Sequence, residues 1–153
     1  MLHIALPKGS LEEQTSLLFR DADLEVRRTE RDYNPVIQDA RISKVKILRP
    51  QEIPRFVEMG YFDLGITGLD WVKETGARVR EVARLNYSKT GEGTVRIVVA
   101  VHRDEPIDDA RDIRPGSRVT TEYPELTREY FGRLGIPVQV FPSYGRPRRR
   151  SLT

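Results

Sequence analysis

The stretch FDLGITGLDW, residues 62–71, decides the fold class, because it joins a short apolar strand to the start of a helix. Gly65 weakens the strand interior, since glycine has no side chain to pack and loses much entropy on ordering. Gly65 and Gly68 flank Thr67 at the strand end, and this arrangement predicts close approach of the backbone to a ligand. In the alternative interpretation, Thr67 and Asp70 only cap the following helix.

Apolar runs alternate with helical patterns on both sides of this stretch. Strands are predicted at residues 3–6, 45–48, 62–66 and 82–85, and helices are predicted to open at Ser10 (with Glu13 in an S-x-x-E capping box), Pro50 and Thr67. The polar residues 25–44 between the first helix and the second strand predict an excursion that contains a hairpin. The β-α alternation is typical of a parallel sheet covered by helices.

The pattern breaks at residues 88–93, SKTGEG, which we interpret as a crossing between two lobes. The first lobe is then residues 1–87 and the second is residues 94–145, with a basic tail at 146–153. In the second lobe, strands are predicted at residues 95–101, 118–120 and 138–141, with a helix from Pro124 to Gly135. The sequence therefore predicts an α/β protein with two lobes.

Composition excludes several classes of protein. The 153 residues contain 38% hydrophobic residues, no cysteine and only two histidines, His3 and His102, which rules out thiol catalysis and a zinc cluster. The start, MLHIALPKGS, has no signal-peptide pattern, and no apolar run is long enough for a membrane span, so we expect a cytoplasmic protein. The net charge of +3 depends on four arginines in residues 146–153. Subtracting these four charges leaves −1, which argues against nucleic-acid binding by the body.

Candidate binding residues lie at the predicted carboxyl ends of strands, where parallel sheets bind their ligands. The first set is Lys8 and Gly9, which precede a helix whose free N–H groups and dipole favour anions. A capped helix with a surface lysine is the alternative. Arg49 adds a guanidinium at the end of the second strand. Asp63 opens the third strand, where we expect it to fix the turn.

A further candidate set lies in the second lobe, at Thr120, Thr121, Glu122 and Tyr123. Small hydroxyls and N–H groups ahead of a helix form an anion cradle, and Tyr123 offers a ring that stacks on a flat ligand. The alternative is that these residues only cap the helix. Positive charges and amide donors that face one cleft together favour a phosphorylated ligand.

Three stretches together resemble the ATP phosphoribosyltransferase family of histidine biosynthesis: ALPKGSL, VKILRPQEIPRFVEMGYFDLGITGLDWV and RVTTEYPELTREYF. The resemblance extends over residues 2–145. It implies two α/β lobes of the type II periplasmic-binding-protein-like kind, with the site between them and the second lobe incomplete in this chain. The G-x-x-D-L-G-I pattern alone is shared with other periplasmic-binding-like domains.

The resemblance also implies an activity. The family joins N1 of ATP to C1 of phosphoribosyl pyrophosphate and releases pyrophosphate, with Mg²⁺ accompanying the substrates. It implies a nucleotide side formed by Lys8, Gly9, Arg49, Gly65, Thr67, Gly68 and Asp70, and an opposite wall formed by Thr120, Thr121, Glu122 and Tyr123. It also implies a homo-oligomer, in which dimers assemble into a larger complex. No catalytic side chain is assigned, because the reaction requires no covalent intermediate with the protein.

The chain departs from the family pattern after Gly145. There the family continues into a D-A-I-V-D-like strand and a T-G-rich loop that holds the phosphoribosyl phosphate, whereas this chain reads RPRRRSLT. The abrupt change is typical of a truncation or a frameshift, so we expect the chain as given to lack useful transferase activity. A different class of function is a non-catalytic module of the same fold that binds or senses a small anion or an amino acid.

Overall fold

A computed structural model describes residues 1–28, 34–87 and 96–143. The chain divides into two compact units, Met1–Thr94 and Val95–Thr153, which we call unit 1 and unit 2. The predicted crossing at 88–93 and the basic tail at 146–153 lie outside the described residues. The boundary between the units follows directly after the predicted crossing.

A three-stranded parallel sheet forms the centre of unit 1. Strand β1 (Leu2–Pro7) lies in the middle, with β4 (Ile42–Leu48) on one side and β5 (Leu64–Gly65) on the other. The register pairs Pro7 with Leu48 and Ala5 with Gly65. The predicted β-α alternation and its parallel sheet are therefore present, although β5 is shorter than the predicted strand at 62–66.

The remaining elements of unit 1 follow from local sequence signals. A 3-10 turn (Gly9–Leu11) leads into α1 (Glu12–Asp21); α2 spans Ile53–Glu58 and α3 spans Leu69–Thr75. The predicted hairpin is confirmed as β2 (Val26–Arg27) paired antiparallel with β3 (Val36–Ile37). Gly76 ends α3 with φ +62°, the left-handed conformation that favours glycine at a helix end.

The two faces of β1 carry different parts of the core, as its alternating side chains require. Ile4 and Leu6 are buried with residues of β3 and β4 on one face. On the other face Ala5 is buried with Ile53 of α2 and with Phe62. Burial of a side chain such as Ile53, which is 0% exposed, contributes about 1.5–3 kcal/mol.

The structure gives a packing reason for the glycine at position 65 in the strand. This reason differs from the close approach of a ligand that the sequence predicted. A Cβ atom at this position would lie 2.5 Å from Cγ2 of Ile53 and 3.0 Å from Cγ2 of Val57. Both of these side chains belong to α2. The glycine therefore allows α2 to pack closely on the sheet.

Two predicted strands are not formed among the described residues, and two predicted helix starts were wrong. Residues 82–85 and 96–101 are not in strands, because no described strand pairs with them. The α2 helix begins at Ile53 with Pro54 in its first turn, rather than at Pro50. The α1 helix begins at Glu12 after Leu11 as N-cap, and no side-chain hydrogen bond caps it, so the predicted capping box of Ser10 and Glu13 was wrong.

Unit 2 contains a smaller parallel sheet and one long helix among its described residues. Strand β6 (Arg118–Thr121) pairs with β7 (Gln139–Pro142), and α4 (Pro124–Leu134) connects them. The helix begins at Pro124 and ends before Gly135, which has φ +70°, as the sequence predicted. Phe131 is the large side chain that α4 buries, at 1% exposure.

Candidate functional site

The carboxyl ends of β4, β1 and β5 lie side by side in unit 1, and they carry the residues that the sequence selected. The main-chain N–H of Lys8 donates to the carbonyl of Leu48 over 2.7 Å, which places Lys8 beside Arg49 in the chain trace. On the other side of β1, the N–H of Ile66 donates to the carbonyl of Ala5 over 3.0 Å. The parallel register therefore gathers both cations and the turn after β5 at one sheet edge.

Both cationic side chains at this edge, those of Lys8 and Arg49, are exposed. Solvent reaches them, so a phosphate group in their vicinity would form charge-assisted hydrogen bonds. Lys8 follows β1 and Arg49 follows the adjacent parallel strand β4. The fold therefore brings together two residues that are far apart in the sequence. This edge is the candidate site of unit 1.

Gly9 adopts φ +86°, a left-handed conformation that favours glycine. That N–H donates to Oε2 of Glu12 over 3.4 Å. A carboxylate thus already lies at the amide that the sequence assigned to an anion, and a phosphate would have to displace it. Glu12 also forms an ion pair with Arg28. Sequence reasoning selected Glu13 for the reciprocal cap and missed Glu12.

Thr67 does not cap α3, contrary to the simplest interpretation of its T-x-x-D pattern. Gly68 occupies the N-cap position, and no side-chain hydrogen bond caps the helix there. The hydroxyl of Thr67 instead donates to the carbonyl of Pro50 over 2.7 Å. A Cβ at Gly68 would lie 2.1 Å from Oδ1 of Asp70, so the glycine leaves room for that carboxylate. The absence of a side chain at Gly68 therefore gives the Asp70 carboxylate its space in this turn.

Asp63 has the structural role that the sequence favoured. Its Oδ2 accepts the main-chain N–H of His3 over 2.8 Å, and its own N–H donates to the carbonyl of His3 over 2.9 Å. These two bonds join the start of β5 to β1. Asp63 lies at the opposite end of the strands from Lys8 and Arg49.

In unit 2 the predicted residues follow the carboxyl end of β6. Oγ1 of Thr121 accepts the N–H of Tyr123 over 2.9 Å, and the hydroxyl of Thr127 donates to the carbonyl of Tyr123 over 2.7 Å. Thr121 therefore organises the turn before α4, whereas Tyr123 occupies the N-cap position and no side-chain hydrogen bond caps the helix. Thr120 and Glu122 are exposed, and Tyr123 is half-buried.

Among residues 1–28, 34–87 and 96–143, no group of three His, Asp or Glu side chains is arranged to hold a metal ion. The unit 1 edge carries two cations, Lys8 and Arg49, beside the carboxylates of Glu12 and Asp70, which is fewer oxygen ligands than Mg²⁺ takes. In the same described ranges, no helix combines the length and the apolar character that a membrane crossing requires.

Comparison with known proteins identifies the family. The model of the HisG family, described as ATP phosphoribosyltransferase, matches residues 49–147. The chain belongs to the ATP phosphoribosyltransferase family. The match includes Arg49, the turn after β5 and residues 120–123 of unit 2.

Curated relatives agree with this assignment. The chain is 43% identical to an ATP phosphoribosyltransferase of Thermodesulfovibrio yellowstonii over 145 residues, and 42% identical to one of Desulforudis audaxviator over 144 residues. These alignments include 95% and 94% of the chain but only 49% of each relative. The chain therefore spans about half the length of the curated relatives it matches.

A solved structure supports the fold. The chain resembles a chain of the ATP phosphoribosyl transferase (HisG:HisZ) complex from Thermotoga maritima, with a TM-score of 0.64 and 19% identity. The match includes 95% of this chain and 65% of that chain. The α/β architecture with parallel sheets is thus shared with a member of the family.

Proposed function

We propose that this chain supplies the adenine-nucleotide side of an ATP phosphoribosyltransferase, which joins N1 of ATP to C1 of phosphoribosyl pyrophosphate. The observation that carries the proposal is the single sheet edge of unit 1, where Lys8, Arg49 and the Gly65–Asp70 turn meet within a chain of this family. The two units correspond, in this proposal, to the lobes of a type II periplasmic-binding fold.

The chemistry requires a site that offsets negative charge. Pyrophosphate leaves with its charge concentrated on oxygen atoms, and guanidinium and ammonium groups stabilise such charge in the transition state. Arg49 and Lys8 supply these groups at the unit 1 edge. Positioning of N1 against C1 contributes further, because a fixed geometry converts the encounter of two substrates into a step within one complex.

Magnesium fits this proposal as part of the polyphosphate substrates. The described residues of the edge offer no set of oxygen ligands for the ion, so the phosphate oxygens would provide most of its ligands. No step of the proposal depends on a metal held by the protein. Assembly into dimers, or with a second kind of subunit as in the Thermotoga complex, is part of the proposal for the intact enzyme.

The first test measures ATP binding by calorimetry in wild type and in Arg49→Ala. We expect the substitution to weaken binding by about 1.5–3 kcal/mol, the contribution of hydrogen bonds to a charged group. Arg20→Ala is the matched control, because Arg20 is exposed in the last turn of α1, at the other end of that helix from Gly9. Equal losses in both variants would indicate a general charge effect rather than a site.

The alternative function predicts a different titration. A small-anion or amino-acid binding module would bind such a ligand in calorimetry and show no heat with ATP. Turnover is a separate question from binding. We expect no phosphoribosyl-ATP formation by the chain as given, whereas joining it to the part of the Thermodesulfovibrio relative that it does not match should restore the reaction.

A further inference from the structure

Two turns of unit 1 are joined by one side-chain hydrogen bond. Thr67 lies between β5 and α3, and Pro50 lies between β4 and α2, 17 positions earlier in the chain. The Thr67 hydroxyl donates to the Pro50 carbonyl over 2.7 Å, in a half-buried setting. The same carbonyl accepts the N–H of Ile53 over 3.3 Å, so the bond from Thr67 is the shorter of the two.

The backbone hydrogen bonds of the two turns run within each turn or to β1. The β4–α2 turn is held on its β1 side by the Lys8 N–H, and it contains its own bond from the Glu52 N–H to the Arg49 carbonyl, at 3.0 Å. The β5–α3 turn closes through bonds to the Gly68 carbonyl. Thr67 is therefore a direct polar link between the two turns.

The link bears on Arg49 because Arg49 directly precedes Pro50. The Arg49 side chain is exposed, and the backbone of its turn determines where the side chain begins and which positions its guanidinium can reach. A backbone displacement of about 1 Å is enough to misplace a group in a site that depends on geometry. Fixing Pro50 thus fixes the origin of the Arg49 side chain relative to Gly68.

We infer that Thr67 is a positioning residue, which holds the Arg49 turn against the Gly68 turn and does not itself contact the nucleotide. Its hydroxyl proton is already donated to Pro50, so Thr67 has no proton to donate to a phosphate oxygen. The inference rests on the proposed function for the identity of the ligand. The link between the turns is independent of it.

The test compares Thr67→Val, which keeps the shape and removes the hydroxyl, with Thr67→Ser, which keeps the hydroxyl. We expect ATP affinity to fall about 3- to 10-fold in Thr67→Val, the effect of one lost hydrogen bond, and to stay within about 2-fold of wild type in Thr67→Ser. In the Arg49→Ala background, Thr67→Val should add less than about 2-fold. Independent, multiplying losses would show that Thr67 does not act through Arg49, and would overturn the inference.

A second measurement does not require ATP. Hydrogen exchange of the Glu52 and Ile53 amides, which are bonded within the β4–α2 turn, should accelerate in Thr67→Val and not in Thr67→Ser, with the β1–β4 ladder unchanged. Equal exchange in the two variants would overturn the inference. If wild type binds no ATP, the proposed function fails for this chain, while the exchange result still decides whether Thr67 joins the turns.

Discussion

Runs of apolar residues occur in both units, but the run in unit 1 is a buried strand and the run in unit 2 is exposed and not a strand. In unit 1 the apolar residues of β1 are buried, with Ile4 at 2% and Leu6 at 3% exposure, because β4 and β5 pair with this strand on both sides. In unit 2 the β-branched run at residues 97–101 is not a strand, and Val98 is 73% exposed. No described strand lies beside that run. High β-propensity therefore formed a strand only where neighbouring strands are present.

The difference shows what a parallel sheet requires. A parallel strand depends on partners that are distant along the chain, so a favourable run of residues cannot form the ladder alone. Unit 1 contains three such strands within residues 1–87. The described part of unit 2 contains two, β6 and β7, and the chain matches only about half of its curated relatives.

The largest expected difference between the two units is in the rate of amide hydrogen exchange. Amides of β1 should exchange at least about 1,000-fold more slowly than in an unfolded chain, because they open only when unit 1 unfolds. Amides of residues 97–101 should exchange nearly as fast as an unfolded chain. NMR or mass spectrometry measures both in one sample. Strong protection at 97–101 that grows with protein concentration would instead show pairing between copies.

The next contrast concerns two glycines. Gly65→Ala should destabilise unit 1 by about 1–3 kcal/mol, because the new Cβ meets fully buried Ile53, which has no space to move. Gly132→Ala is the matched control in unit 2: its Cβ meets nothing within 4 Å in α4, so we expect a gain of about 0.5–1 kcal/mol.

Urea unfolding measures both glycine variants. Trp71, the sole tryptophan, lies in α3 and reports on unit 1 by fluorescence, while circular dichroism follows the helices of both units. A neutral Gly65→Ala would contradict the packing explanation of the strand defect. In that case a role for Gly65 in direct ligand approach would again be open.

The smallest expected difference concerns an Asp–Arg pair that occurs in both units, where we expect the same behaviour in each. Each unit contains the tripeptide Asp-Ala-Arg, and Arg41 and Arg111 donate from Nε and Nη2 to Asp39 and Asp109 in the same arrangement. These side-chain bonds lower the pKa of each carboxyl to about 2, with a further contribution from the arginine N–H of the main chain.

The sign of the pH dependence follows from the lowered pKa of these two carboxyls. The stability that each contributes is present above about pH 4 and is lost as the pH falls through about 2. The effect is small because Arg41, Arg111 and Asp109 are exposed to solvent and Asp39 is partly exposed. NMR titration of the carboxyl groups checks it. Arg41→Gln should raise the pKa of Asp39 and leave Asp109 unchanged, and Arg111→Gln should do the reverse.

Sequence reasoning predicted the parts of the site that depend on strand ends. Lys8 and Arg49 were placed at carboxyl ends of parallel strands, and the register of β1 with β4 brings those ends together. Glu12 at the Gly9 amide and the bond from Thr67 to Pro50 were not predicted. Both depend on side-chain orientations that spacing along the chain does not specify.

The sequence by itself determined the α/β alternation, the ends of α3 and α4 at glycines, and the family to which the chain belongs. These features are local, because periodicity and glycine conformations act within a few residues. Only the tertiary structure decided why Gly65 interrupts a strand and which apolar runs become strands. The reason is that both outcomes depend on contacts between residues far apart in the chain: Ile53 of α2 packs against Gly65, while residues 97–101 have no described strand to pair with.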